Sequence, residues 1–204
     1  MNKAEKTGSE KAEQELSGNG HARPQERPFS EARLGMWLGI AALSMVFAAL
    51  CVAYVVRLHD RLNFYFEPPK SLWISTVLLV SSSIVLHFGV DAIRTGHGKR
   101  FRKLMGATVA LGWGFLVSQF VAWLELMHQG VYAQTNPFSG FFYIFTFVHA
   151  AHLIVGIAWI TYIFRASGSG VFTVHKHLAV DLGALYWHFV DIAWMALFIL
   201  IMFF

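Results

Sequence analysis

Histidine and aspartate side chains recur in pairs within long apolar stretches of this sequence. Each pair is separated by three or four residues, so its two members would share one face of a helix. The pairs are His87 with Asp91, His149 with His152, and His188 with Asp191. Imidazole and carboxylate groups so placed could relay protons, bind a metal ion or haem iron, or form hydrogen bonds between helices. Gln119 is a further polar residue inside such a stretch.

The elements that must position these side chains are five stretches without a single Lys or Arg. They cover 34–56, 72–93, 104–127, 140–164 and 180–203, and each is 22 to 25 residues long. A helix of that length crosses the ~30 Å hydrocarbon layer of a membrane. Hydrophobic residues make up 56% of the chain and charged residues only 14%, against ~25% charged in soluble domains. The sequence therefore predicts an all-α polytopic membrane protein, a bundle of five transmembrane helices in residues 34–204.

The distribution of basic residues predicts the orientation of the bundle. Thirteen Lys and Arg fall before residue 34 and in the 94–103 and 165–179 connections, and three fall in the 57–71 connection. Basic residues accumulate on the cytoplasmic side, which predicts a cytoplasmic N-terminus and a C-terminus at the outer face. Residues 1–33, with few large apolar side chains, are expected to form a disordered cytoplasmic tail.

The depths of the polar pairs predict a possible meeting point between the fourth and fifth helices. At ~1.5 Å per residue, His152 is roughly level with His188, and His149 with Asp191. If these helices are neighbours, a buried set of His–His and His–Asp contacts can form between them. Interhelical hydrogen bonding, metal or haem ligation, and proton relay or transport all remain open as roles for this set.

Small residues recur every four positions on the third helix, at Gly106, Ala110, Gly114 and Ser118. Such a stripe lets helix backbones approach closely within a membrane, so we expect it to mediate helix packing. The basic connection 94–103 is expected to meet lipid headgroups through Arg94, Arg100 and Arg102. Its position at a membrane surface makes nucleic acid a poor partner, and no phosphate-binding loop or nucleophile motif is present.

The fifth helix carries the run YWHFVDIAW at 186–194, which strongly resembles the signature of subunit III of haem–copper terminal oxidases. Four other segments resemble parts of that family in the same order: 34–57, 72–83, 115–123 and 135–156. Five helices correspond to the short bacterial form of the family. Two carboxylates frequent in the family are absent, because Leu43 and Ala122 occupy their positions.

The resemblance implies an accessory subunit of a proton-pumping oxidase that reduces oxygen to water in the cytoplasmic (inner) membrane of a bacterium. Such a subunit has no catalytic, cofactor or metal site of its own, because the haems and copper reside in partner subunits. It packs mainly against subunit I, shares the complex with subunit II, holds phospholipid, and supports proton uptake and stability. The electron donor of the complex is cytochrome c or a quinol. The residues expected to form its structural polar core are Gln119, His149, His152, Trp187, His188 and Asp191.

Three alternatives remain open at the level of sequence. One is the accessory subunit of a nitric oxide reductase, which shares the fold family. Another is a haem-b membrane anchor that uses the histidines as axial ligands. The third is an ion-coupled transporter that uses His149, His152, His188 and Asp191.

Overall fold

The computed structural model describes residues 31–57, 69–135, 137–174 and 177–203, and within them the secondary structure is helical. The five long helices are α1 (Glu31–Arg57), α2 (Ser71–Arg94), α3 (Gly98–His128), α4 (Pro137–Ala166) and α5 (Leu178–Phe203). All five are long and apolar enough to cross a membrane, which confirms the predicted class of fold. A short 3₁₀ turn, Ser167–Ser169, follows α4.

The helices extend beyond the apolar stretches that predicted them. Helix α3 begins at Gly98, six residues before the predicted start, because the basic residues 99–103 continue the helix instead of forming a loop. Helix α1 begins at Glu31, within the segment predicted to be a disordered tail. The rest of that predicted tail, residues 1–30, lies outside the described residues.

Helices α2 and α3 end in the same way, with a glycine in the left-handed region. Gly96 and Gly130 have φ values of +79° and +74°. At the end of α3, the Gly130 N–H donates to the Met127 carbonyl and the Val131 N–H to the Leu126 carbonyl, at 3.0 Å each. This is the Schellman pattern, which pairs the last carbonyls of a helix and favours glycine because it lacks a Cβ. The turn at Gly96 allows α3 to return along α2.

Helices α2 to α5 form a four-helix arrangement in which α2 packs on α3, α3 on α4, α4 on α5, and α5 back on α2. Its core is rich in large side chains with less than 2% exposure, including Trp187, Trp194, Phe101, Phe115 and Phe142. Most of α1 is exposed. Its Phe47 and Tyr54 are buried with Phe145 of α4 and Leu197 of α5. Helix α1 is thus an attached element at the side of the four.

The predicted small-residue stripe on α3 makes contacts with two different helices. A Cβ at Gly106 would lie 3.0 Å from the Phe164 ring of α4, and one at Gly114 would lie 3.6 Å from Leu78 of α2. The Ser118 hydroxyl donates to the Ser71 carbonyl of α2 at 3.2 Å. Ala110, in contrast, is exposed. Among the glycines of α3, the shortest such distance is that of Gly112, 2.9 Å from the Trp187 ring, and Gly112 lies outside the stripe.

Candidate functional site

The YWHFVDIAW segment of α5 anchors this helix to α2 through its two tryptophans. Trp187 and Trp194 are 0% and 1% exposed. The Nε1–H group of Trp187 donates to the Ser82 hydroxyl at 3.0 Å, and that of Trp194 donates to the Thr76 hydroxyl at 3.1 Å. A buried indole N–H needs an acceptor, and the hydroxyls of α2 supply it. The two contacts fix the rotation of α5 about its own axis.

That rotation turns His188 and Asp191 toward α2. Nδ1 of His188 and the Ser83 hydroxyl are hydrogen-bonded to each other. Asp191 is 7% exposed. The Ser83 hydroxyl is close enough to act on its carboxylate, but neither carboxylate oxygen has a partner of full hydrogen-bond geometry among the described residues. Ser83, His188 and Asp191 line a cavity of about 540 Å³ whose remaining wall includes His87 and apolar side chains.

A second cavity of about 350 Å³ shares His87 and His188 with the first one. Its other lining residues include Asp91, Arg94 and Asp181. Arg94 and Asp181 form an ion pair at 2.9 Å. The two cavities together make what we term the α2–α5 groove, which runs from the Arg94–Asp181 pair to Asp191. The groove therefore aligns ionisable side chains from one end of α2 toward the middle of the bundle.

His149 and His152 lie elsewhere, away from this groove. His149 is 0% exposed, and its ring lies 4.9 Å from that of Trp194, 5.6 Å from Phe115 and 6.4 Å from Phe47, measured between centroids. Nδ1 of His152 is hydrogen-bonded to the Val148 carbonyl of its own helix at 2.7 Å.

The predicted set of His149–Asp191 and His152–His188 contacts is therefore wrong, although α4 and α5 are neighbours. Helix α4 meets α5 through Tyr186, Trp187 and Trp194: the Tyr186 hydroxyl, for example, donates to the His152 carbonyl at 3.0 Å. At about 100° per residue, His188 points away from that contact face, toward α2. Equal depth placed the groups at one level but did not determine the side of the helix on which each lies.

Gln119 is the remaining member of the predicted polar core and is 1% exposed. Neither atom of its amide has a hydrogen-bond partner among the described residues. The next polar contacts along α3 are made by Trp123, which donates to the Thr146 hydroxyl of α4 at 3.0 Å, and by Glu125, which accepts from Ser71 of α2 at 2.9 Å. The predicted polar core is thus divided: His188 and Asp191 face α2, whereas Gln119 and His149 lie in the interior of the bundle.

The arginines predicted to contact lipid have different surroundings. Arg94 is engaged by Asp181, Arg102 lies over the Phe164 ring at 5.8 Å, and Arg100 is exposed. Arg165, which was not among the predicted lipid contacts, lines a cleft of about 440 Å³ between α3 and α4. Its place in the last turn of α4, close to Tyr162 and the exposed Trp113, could have indicated a lipid-headgroup contact.

The described residues include no group of three His, Cys, Asp or Glu side chains that could hold a metal ion. A haem ligated by His149 would need room for a porphyrin beside the imidazole. The rings of Trp194, Phe115 and Phe47 pack around that imidazole instead. The packing around His149 therefore leaves no room for a porphyrin at that imidazole.

The buried Asp191 carboxylate leads to the first testable prediction. The donor near Asp191 among the described residues is the Ser83 hydroxyl, which His188 also engages. Taking so weakly paired a carboxylate out of water is costly, and asparagine has the same shape without the charge. Asp191→Asn should therefore raise the unfolding temperature of the detergent-purified chain by about 2–4 °C, as measured by intrinsic fluorescence. The matched variant Asp181→Asn removes a carboxylate that is paired with Arg94, and should lower or leave unchanged that temperature. A decrease for Asp191→Asn would show that a donor satisfies the carboxylate.

The fold and the polar groups together define a multi-pass helical membrane protein in which several buried hydroxyl groups connect helices. Residues 64–204 match the family described as cytochrome c oxidase subunit III. The chain is 33% identical to cytochrome c oxidase subunit 3 of Thermostichus vulcanus, over 82% of this chain and 85% of that protein. It is 32% identical to cytochrome c oxidase subunit 3 of Synechocystis sp., with coverages of 89% and 77%. It is 28% identical to quinol oxidase subunit 3 of Bacillus subtilis, with coverages of 89% and 92%.

The chain therefore belongs to the cytochrome c oxidase subunit III family. The YWHFVDIAW segment that carried the resemblance lies within the matched region.

Proposed function

We propose that this chain is the non-redox accessory subunit III of a haem–copper terminal oxidase in the cytoplasmic membrane of a bacterium. The observation that carries the proposal is the family match over 64–204, together with bacterial relatives of which the chain covers more than three quarters. The five apolar helices suit a multi-pass subunit. The N-terminus lies in the cytoplasm and the C-terminus at the outer face, in accord with the charge asymmetry.

In this proposal, the chain packs against oxidase subunit I, within a complex that also includes subunit II. The haems and copper belong to those partners. Large apolar side chains remain exposed on every helix, among them Met45, Ile74, Val117, Phe147 and Ile192. In a membrane such surfaces are covered by lipid or by neighbouring helices, so these helices have surface available for a partner subunit.

Copurification tests this function. A tag on this chain should retain an oxidase subunit I, identified by mass spectrometry, and the retained complex should show haem absorption in a reduced-minus-oxidised spectrum. The chain purified alone should show none. Recovery of nitric oxide reductase subunits, or a haem band from the isolated chain, would contradict the proposal. The electron donor follows from whether the complex oxidises cytochrome c or a quinol.

The α2–α5 groove supports a role in proton uptake. His87, Asp91, His188 and Asp191 all line it, and ionisable residues within membrane helices commonly carry protons. Proteoliposomes that contain the whole complex test this role. Asp191→Asn should slow proton uptake during turnover, and the transport alternative would require the isolated chain to move protons by itself.

The cleft between α3 and α4 is proposed to hold a phospholipid. Ile154, Ile157 and Leu116 give it an apolar wall, and Arg165 lies at one end. This suits an acyl chain along the wall with its phosphate bound by the guanidinium, which matches phosphate geometry well. Arg94, Arg100 and Arg102 remain candidates for further headgroup contacts.

Native mass spectrometry of the detergent-solubilised complex tests the lipid site and provides the second prediction. Arg165→Ala should reduce the occupancy of at least one bound phospholipid several-fold, because the headgroup loses its charge-assisted contact. Arg94→Ala should have a smaller effect, because Asp181 already engages that guanidinium. Unchanged lipid occupancy in Arg165→Ala, with loss in Arg94→Ala, would place the headgroup at α2 instead.

A further inference from the structure

Gln119 and His149 are, like Asp191, buried polar side chains without a hydrogen-bond partner among the described residues. They are 1% and 0% exposed. Among the described residues, neither the two amide atoms of Gln119 nor the two ring nitrogens of His149 have a hydrogen-bond partner. Unpaired polar groups are costly in a protein interior, and in a membrane they cannot turn to bulk water instead. These four atoms therefore need hydrogen-bond partners that the described residues do not supply.

The register of α3 against α4 fixes the depth at which each of these side chains lies. Trp123 of α3 donates to the Thr146 hydroxyl of α4 at 3.0 Å. Further along the same interface, a Cβ at Gly112 of α3 would lie 3.1 Å from Cγ1 of Ile157 on α4. From the first contact to the second, the chain moves back eleven residues on α3, from Trp123 to Gly112. It moves forward eleven residues on α4, from Thr146 to Ile157, as expected for antiparallel helices.

This register brings Gln119 and His149 to the same level. Four residues back from Trp123 lies Gln119, and four residues forward from Thr146 lies position 150, next to His149. Gln119 also shares a helical face with Phe115, one turn away, and the Phe115 ring contacts the His149 ring at 5.6 Å. The Gln119 amide and the His149 imidazole therefore lie at the same level of the α3–α4 interface, both on the side of Phe115.

The walls of this interface are aromatic and do not satisfy the four polar atoms. The rings of Phe115, Trp194 and Phe47 surround His149. The only strong donor among them, Nε1 of Trp194, is directed to the Thr76 hydroxyl at 3.1 Å. A partner for Gln119 and His149 must therefore be small, and it must both donate and accept hydrogen bonds.

We propose that Gln119 and His149 hold an internal water molecule that bridges α3 and α4 at the centre of the bundle. A neutral imidazole offers one donor and one acceptor, and a carboxamide offers both kinds of group. Water has two donors and two acceptors, and buried waters typically bind groups that would otherwise be unpaired. The bridge links two helices through side chains that make no other polar contact with the described residues.

A high-resolution cryo-electron microscopy map tests the site without any substitution. The sample is the complex purified through a tag on this chain, whichever subunits it retains. We expect a water density within hydrogen-bond distance of both the Gln119 amide and the His149 imidazole. A map in which these two groups bond directly to each other, or in which protein atoms fill the space between them, would overturn the proposal.

A double-substitution cycle on the same complex tests whether the two side chains share one partner. Gln119→Met and His149→Phe keep size while removing the polar groups, so each should lower the unfolding temperature by about 5 °C by leaving the bridge incomplete. The double variant should lose no more than either single variant. Fully additive losses would refute a shared water. As a control, Thr108→Val combined with His149→Phe should be additive, because buried Thr108 donates to the Leu104 carbonyl of its own helix at 3.0 Å.

Discussion

Gly112→Leu is expected to prevent the chain from folding. A Cβ at this position would lie 2.9 Å from Cη2 of Trp187 and 3.1 Å from Cγ1 of Ile157. Both neighbours are almost completely buried, at 0% and 3% exposure, so neither can move aside into lipid. Overpacking a filled core costs roughly 1–3 kcal/mol or more, and leucine adds four carbon atoms here. The yield of monodisperse chain in detergent should fall at least tenfold.

Gly39→Leu is the matched control, because it makes the same substitution within a membrane helix. No atom lies within 4 Å of a Cβ built at Gly39, so this variant should accumulate normally. Gly114→Ala should also be tolerated, since its Cβ would make only an ordinary contact of 3.6 Å with Leu78. Normal yield and unchanged thermal stability for Gly112→Leu would show that α3, α4 and α5 are not packed as described.

Trp187→Ala should have the second largest effect on stability, because it leaves a cavity in the core where Gly112→Leu would overfill it. This indole contacts three helices: it donates to Ser82 of α2, and its ring lies against Gly112 of α3 and Gly156 of α4. Replacing a fully buried tryptophan with alanine leaves a large cavity and costs about 3–5 kcal/mol. We expect the unfolding temperature of the purified chain to fall by about 10 °C or more.

Two further variants separate packing from hydrogen bonding at this position. Trp187→Phe keeps most of the ring and loses the N–H group, and should cost about 1 kcal/mol. Trp37→Ala removes a tryptophan that is 59% exposed on α1, and should leave the unfolding temperature almost unchanged. Equal losses for Trp187→Ala and Trp37→Ala would mean that burial does not distinguish these two side chains.

Much of the fold was predictable because a transmembrane helix is specified locally. A run of about twenty apolar residues without basic side chains spans the membrane whatever its neighbours are. The ends of the helices were less predictable. Helix α3 begins at Gly98, and the basic segment before its apolar run is already helical, because a helix can extend beyond the hydrocarbon layer. The end of α2 near Gly96 depends on the left-handed backbone conformation of that glycine, which a hydropathy pattern does not reveal.

The candidate polar site was predicted in its members but not in its arrangement. Gln119, His149 and Asp191 are all buried, as expected for polar residues of membrane helices, whereas His87 and Asp91 in the apolar run of α2 are exposed. Their partners could not be predicted, because spacing gives depth along a helix and not the direction in which the helix faces. Arg165 was missed because two neighbouring helices, not its own sequence environment, create its cleft.

The sequence by itself determined the number of helices, their approximate limits and, through the YWHFVDIAW segment, the family to which the chain belongs. Only the tertiary structure decided how each helix is rotated and which helices are neighbours. It turned His188 and Asp191 toward α2, and it placed the tightest contact of an α3 glycine at Gly112, outside the four-residue stripe. The physical reason is that lipid is as apolar as the bundle core, so hydrophobicity alone does not distinguish the inner face of a helix from the outer one. That choice depends on how tryptophans, glycines and hydroxyls from distant parts of the chain fit together.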